Sequence, residues 1–312
     1  MTRPTAARSR VLGAAAPERR SPNRRVDPGS RRRESALISK ESKSAPTHVS
    51  GYTVGAFSAQ HELSALATGH RPRPTVAFKL PAKTLTAGHV PRIVGVLSSI
   101  PKTLPASGFP SDLVEIRLDA MPLQSDWLEC GRAIQSRGWP VILTIRLQSE
   151  GGKWTRPDAD RLPLFQQGLK YLSAVDVELE SPIAASVSRA AKRLGKTCIV
   201  SYHNFELTPP LAKLAAVVSA AQPLASIVKI STMARRRQDV ETLRSLLLRN
   251  GNVPLCVIGM GSLGTPTRVS FAALGSCLTY GYLDKPSAPG QLSAAQLAQR
   301  LRHHIQQNST NR

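Results

Sequence analysis

From Pro91 onward the chain repeats one unit, a short apolar run bounded by polar or turn residues, at intervals of about 20–35 residues. The runs are Ile93 to Leu97, Leu113 to Leu118, Val141 to Leu147, Val175 to Leu179, Cys198 to Tyr202, Ile227 to Ile230, Leu255 to Met260 and Leu278 to Tyr280. Stretches with helical spacing separate them, such as Ile183 to Leu194 and Asp239 to Leu248. Strand-like runs alternating with helix-like ones predict an α/β protein with a parallel sheet. Eight such runs match a closed (β/α)8 TIM barrel, whose lower size range is about 220 residues. An open doubly wound sheet is the alternative, but the GxGxxG turn that marks its dinucleotide-binding form does not follow the first run.

The first 90 residues read differently. They carry 16 Lys/Arg against 5 Asp/Glu, half of the net charge of +22 in under a third of the chain. Residues 1–50 hold Arg31-Arg32-Arg33 and repeated Ser-Pro and Ala-Pro steps without periodicity, and Pro72, Pro74 and Pro81 break up residues 51–90. Residues 1–90 are therefore expected to be a basic, largely disordered extension, and 91–312 the barrel domain. A basic excess can mark a nucleic-acid partner, yet aromatics make up only 4% of the chain, leaving little for bases to stack on. No nucleic-acid or membrane partner is expected. No run approaches the ~18–20 apolar residues of a membrane span. Cys130, Cys198, Cys256 and Cys277 form no CxxC pair, which favours a reducing, cytoplasmic compartment.

Charge appears where a buried parallel strand should be apolar. In Leu113-Val-Glu-Ile-Arg-Leu-Asp119, Glu115, Arg117 and Asp119 share one face and Val114, Ile116 and Leu118 the other. A wet edge strand would explain this. A barrel strand, buried on both faces, explains it only if the charges pair around a polar site. Thr144 with Arg146, Asp176 with Glu178, and Ser201 with His203 repeat the pattern, Lys229 stands alone in Ser226-Ile-Val-Lys-Ile, and Glu150 follows Arg146 in a loop. These groups fall near the C-terminal ends of their strands, where barrel enzymes carry their chemistry. His203 could be structural and Lys229 an ion-pair partner of Asp176 or Glu178. Desolvation also disfavours an ammonium in an apolar strand and supplies an amine nucleophile toward carbonyls. Lysine, histidine, carboxylates and arginines around one mouth suggest imine chemistry on an anionic keto substrate.

Eight segments, in order, resemble the type I 3-dehydroquinate dehydratases: Glu115-Ile-Arg-Leu-Asp119, Thr144-Ile-Arg146 with Glu150-Gly-Gly152, Asp176-Val-Glu-Leu179, Ser201-Tyr-His-Asn-Phe205, Val228-Lys-Ile230, Gly259-Met-Gly261, Arg268 and Ser287-Ala-Pro-Gly-Gln291. The resemblance implies a hydro-lyase of the shikimate pathway, converting 3-dehydroquinate to 3-dehydroshikimate without metal or organic cofactor, and a cytoplasmic homodimer. It implies Lys229 as the imine-forming lysine, His203 as general acid/base, and Glu150 as the carboxylate that orients the histidine. It assigns Glu115, Arg117 and Arg146 to the substrate hydroxyls, Arg268 to its carboxylate, and Ser287 and Gln291 to a closing loop. Phe205, Met260 and Tyr280 fall at lining positions, Tyr280 where Phe is common. The short stretch between Asp119 and Val141 suggests one trimmed helix. Three alternatives stay open: an imine-forming aldolase, a basic nucleic-acid-binding protein on a barrel scaffold, and an inactive barrel that binds without turnover.

Overall fold

The computed structural model describes residues 74–80, 83–88 and 90–310. The disorder expected of the first 73 residues lies outside them. The order of elements is β1 (Val76–Lys79), β2 (Thr84–Ala87), β3 (Arg92–Leu97), β4 (Leu113–Arg117), α1 (Trp127–Ser136), β5 (Val141–Thr144), α2 (Arg161–Tyr171), β6 (Ala174–Glu178), α3 (Ala184–Arg193), β7 (Thr197–Asn204), α4 (Leu211–Ala221), β8 (Ile227–Met233), α5 (Arg237–Arg249), β9 (Leu255–Met260), α6 (Thr267–Ala273), β10 (Leu278–Tyr282) and α7 (Ala294–Thr310).

All eight runs become strands. They pair in parallel in the order β10-β3-β4-β5-β6-β7-β8-β9. The remaining side closes where the Cys277 N–H donates to the Leu255 carbonyl at 2.9 Å, which completes the barrel. The outward residues of the strands, among them Ile116, Leu143, Val177, Val200, Ile230 and Val257, form one apolar layer with helix residues such as Ile134, Phe165, Val187 and Leu243. That layer explains why each run is apolar on both faces over most of its length.

Inside the barrel the residues grade from apolar to charged along each strand. Leu113 leads to Glu115 and Arg117, Ile142 to Thr144, Ala174 to Asp176 and Glu178, Ile199 to Ser201 and His203, and Ile227 to Lys229. The wet-edge reading of Glu115 and Arg117 fails, because β4 is paired on both sides and Glu115 is buried.

One expectation is corrected. Residues before Pro91 showed no strand pattern, yet β1 and β2 form an antiparallel hairpin there. Its strands have four residues each, too few to print an alternation. Phe78 and Ala87 pack into the apolar floor of the barrel beside Leu113, Ile142 and Ile227. The Ala77 and Lys79 carbonyls accept hydrogen bonds from Thr197 Oγ1 and Ser173 Oγ, at 2.9 and 2.8 Å. The short segment between Asp119 and Val141 holds a ten-residue helix, α1. The connection from β3 to β4 contains no helix, a feature not read from the sequence; Pro101, Pro105 and Pro110 lack backbone donors there.

Phe78 is fully buried, so Phe78→Ala leaves a cavity in the barrel floor. We expect a loss of about 3–5 kcal/mol in urea unfolding; a loss below about 1 kcal/mol would show that the hairpin is not part of the folded unit.

Candidate active site

The C-terminal half of the barrel interior opens into a cavity with about 480 Å³ of atom-free space, part of it continuous with solvent. The twelve residues to which the resemblance gave a site or lining role line it: Glu115 and Arg117 from β4, Arg146 and Glu150 from the segment after β5, His203 and Phe205 from β7 and its loop, Lys229 from β8, Met260 from β9, Arg268 from α6, Tyr280 from β10, and Ser287 and Gln291 from the following loop. Asp119, Thr144, Asp176, Glu178 and Ser201, also marked by strand parity, lie behind the cavity wall. Sequence reasoning did not mark Val96, Ser231 and Ile258, which also face the cavity with Gly151 and Ala288 of the quoted motifs. For Ser231 the parity of β8 carried the signal, since it sits two residues beyond Lys229.

Lys229 is buried and its Nζ lies 2.8 Å from Asp176 Oδ2 and 3.9 Å from Glu115 Oε1. The ring of Tyr280 covers it, with the centroid 4.1 Å from Nζ. Asp176 is the hub of the interior. Its Oδ1 takes hydrogen bonds of 2.6 Å from both Arg146 Nη2 and Ser201 Oγ. Burial pushes the Asp176 carboxyl up, but Arg146 and Lys229 together hold it well below the usual carboxylate range. Arg146 also reaches Ser201 Oγ at 2.7 Å and Glu178 Oε1 at 3.1 Å. Glu178 turns its other oxygen to Arg161 Nη1 at 2.6 Å. Glu115 is oriented by Thr144 Oγ1 at 2.7 Å, and Arg117 by a two-point pair with Asp119, both contacts 2.9 Å. Arg161, fully buried on α2, was not visible as a site residue, because a single arginine at the start of a helix looks solvated.

His203 and Glu150 form a second unit. Glu150 Oε2 accepts the His203 backbone N–H at 3.0 Å and lies 2.8 Å from Nδ1. The Glu150 contact occupies Nδ1, so Nε2 is the ring nitrogen left to exchange a proton with a ligand. Burial and the cations Arg146 and Lys229 hold the His203 imidazolium well below its ordinary value. Burial raises the Glu150 carboxyl to about 8, against the pull of Arg146. The two shifts have one origin: this pocket disfavours charge of either sign, and the pair stays net neutral near pH 7. The loop bearing Glu150 turns on Gly151, at φ +76°, where a Cβ would fall 2.3 Å from the Phe205 ring.

Arg268 differs from the other buried arginines. Arg92, Arg146 and Arg161 have carboxylate partners. Among the described residues no salt bridge reaches Arg268; its Nη1 donates to the Tyr280 carbonyl at 3.0 Å and its Nε has no partner. Burial without a counter-ion lowers its guanidinium to about 10. It remains a cation at neutral pH, with donors waiting for an anion. The Ser287–Gln291 loop is folded on itself, with Gln291 Oε1 accepting from Ser287 N–H at 2.7 Å and from Ser287 Oγ at 3.1 Å.

A family profile described as type I 3-dehydroquinase matches residues 96–308. The 3-dehydroquinate dehydratase of Methanocella arvoryzae is 32% identical over 212 residues, covering 68% of this chain and 96% of that one. The crystal structure of 3-dehydroquinate dehydratase from Aquifex aeolicus superposes with a TM-score of 0.58 at 29% identity, over 68% of this chain and 97% of that one. The Geobacillus kaustophilus 3-dehydroquinate dehydratase shares the fold, with a TM-score of 0.65 at 24% identity over 76% and 99% of the two chains.

Because its folded-state value is depressed, neutral His203 should persist well below pH 6.5, and its share of stability is present above that pH and lost as pH falls through the lower folded value. Histidine Cε1 NMR should show its ring neutral at pH 6. A midpoint near 6.5 would mean that burial and the neighbouring cations do not control the ring.

Proposed function

The chain belongs to the type I 3-dehydroquinase family, and on that premise we propose that it dehydrates 3-dehydroquinate to 3-dehydroshikimate through a Schiff base on Lys229, as a step of the shikimate pathway. One observation carries this reading: a buried arginine without an acid partner shares a cavity with a buried lysine and an oriented, neutral histidine. An anion, a carbonyl and an acidic C–H are the three features such a site accepts together.

Arg268 holds the substrate carboxylate in its planar fork. The Lys229 amine adds to the ketone carbon; the carbinolamine loses water and leaves an iminium. Asp176 and Glu115, 2.8 and 3.9 Å from the nitrogen in the free protein, offset that positive charge. The iminium draws electrons from the adjacent carbon, and the Nε2 lone pair of His203 takes its proton. The C–H pair becomes the enamine. The enamine then expels the β-hydroxyl, which leaves as water with the proton from His203. Hydrolysis of the conjugated imine returns Lys229. Glu150 keeps the ring turned through its contacts with Nδ1 and the His203 backbone N–H. Glu115, Arg117 and Arg146 form the polar wall for the substrate hydroxyls, and Arg146 also fixes Asp176. Ser287 and Gln291 close over the ring, and Phe205 and Met260 exclude water from the reacting carbons.

The reading includes a cytoplasmic homodimer. Free thiols at all four cysteines fit a reducing compartment, and no helix among the described residues is long and apolar enough to cross a membrane. The dehydratase reading is favoured over an aldolase because the loop carrying Ser287 and Gln291 lies on the cavity with Arg268, which suits a compact ring with its carboxylate anchored.

Adding 3-dehydroquinate to the protein should produce the ultraviolet absorbance of a conjugated enone. In Arg268→Lys the charge is retained but the fork is lost, and KM should rise at least tenfold, the loss of one charge-assisted hydrogen bond of about 1.5–3 kcal/mol. No enone from the unmodified chain would overturn the proposed reaction; an unchanged KM in the variant would remove Arg268 from the carboxylate.

A further inference from the structure

Ser231 is a polar residue of the cavity wall to which the proposed mechanism gives no task. It lies two residues beyond Lys229 on the same face of β8, and it pairs in register with His203 of β7. Residues two apart on a strand are about 6.6 Å apart, and paired residues of neighbouring strands about 4.8 Å. Ser231 therefore stands above Lys229, toward the mouth, and beside His203. The neighbouring Ser201 is engaged by Arg146 and Asp176, and Thr232, on the opposite face of β8, shares a hydrogen bond with Thr208. Among the described residues no hydrogen bond engages the Ser231 hydroxyl. The unpartnered side-chain atoms that are cut off from solvent belong to Ser111, Ser125, Arg268 and Tyr280. The Ser231 oxygen is not one of them, so it opens into the cavity that its residue lines.

The chemistry at Lys229 calls for such a group. Forming the Schiff base turns the ketone oxygen into water on the carbon that bonds to Nζ, and hydrolysis reverses this. A donor stabilises that oxygen while it gathers charge. The contacts already described around Nζ are the carboxylates of Asp176 and Glu115 and the face of the Tyr280 ring. Arg146 and Lys229 keep Asp176 ionised, so it accepts hydrogen bonds and donates none. Arg146 itself is committed to Asp176, Glu178 and Ser201. Beside Lys229 and His203, the Ser231 hydroxyl is a neutral donor with no other engagement.

We propose that the Ser231 hydroxyl donates a hydrogen bond to the oxygen that leaves the ketone carbon as the Schiff base forms, and holds the water that returns there in hydrolysis. The proposal rests on the Schiff-base reading. Once Nζ has bonded to the carbon, the C–O bond breaks and its electron pair stays on the oxygen, while the nitrogen lone pair closes the C=N bond. Counted from the Lys229 ammonium, the two protons that the nitrogen gives up are the two that the oxygen gains before it departs as water. His203, beside Ser231, carries them across. Ser231 ends the step with its own proton and takes no part in C–H removal or in loss of the β-hydroxyl.

The test is Ser231→Ala, which deletes one oxygen, read on the imine steps alone. Product carrying oxygen-18 in its ketone exchanges that label with water, beyond the spontaneous rate, by forming and hydrolysing the imine on the protein. In the variant this protein-dependent exchange should slow about 2–10-fold, as for one lost neutral hydrogen bond. The free variant should melt no lower than the parent, because the hydroxyl has no partner to lose. An unchanged exchange rate would overturn the proposal. So would slower dehydration with exchange unaffected, which would place the hydroxyl at a later bond. A parent protein that exchanges no label would remove the Schiff-base reading and this proposal together, whereas an exchanging parent matched by Ser231→Ala removes the proposal alone.

Discussion

Asp176 is the contact on which the rest of the site depends. A carboxylate with no exposure to water is tolerable only when cations and donors surround it, and here Lys229 of β8, Ser201 of β7 and Arg146, just beyond β5, do so. Each partner is thereby fixed. Lys229 cannot swing out of the barrel without leaving an unpaired charge, and Arg146 is held by Asp176 on one side and Glu178 on the other. Glu178 passes the constraint outward to Arg161 on α2, so the helical layer is tied to the interior by charge as well as by packing. Breaking such a buried pair by removing one member typically costs about 3–5 kcal/mol. The barrel accepts that exposure to risk in its C-terminal half and compensates in its N-terminal half, where the interior is apolar and the hairpin seals it.

The same interior sets opposite demands on its two functional units. Around Lys229 the surroundings are anionic and can stabilise a cation that stays in place. Around His203 they are cationic and dry, and they keep the imidazole neutral. One ion lattice thus sets carboxylates beside the Lys229 nitrogen, where an iminium would form, and keeps the imidazole of His203 neutral. Arg268 stands outside the lattice. Its lack of a carboxylate among the described residues leaves one buried cation for an incoming anion.

Much of this was legible in the chain. The eight strands showed because each is apolar over a length that matches a barrel stave. The polar positions showed because parity along a strand puts Glu115 with Arg117 and Asp176 with Glu178 on one face. The pairing partners did not show. Asp176 and Glu178 were equivalent candidates for Lys229; in the folded barrel Lys229 reaches Asp176 while Glu178 turns to Arg146 and Arg161, a choice set by distances across strands that the sequence does not contain. The hairpin was hidden because four-residue strands flanked by prolines carry no period. The lack of a helix between β3 and β4 was not read from the sequence, although Pro101, Pro105 and Pro110 fall in that connection.

The central claim is that Lys229, held in this lattice, becomes covalently bonded to its substrate. Borohydride added during turnover of 3-dehydroquinate reduces an imine to a stable amine. Peptide mass spectrometry should then find the added mass on Lys229, with activity lost in proportion. An adduct on Lys153 or Lys285, the lysines of nearby loops, or full activity in Lys229→Ala, would contradict the account.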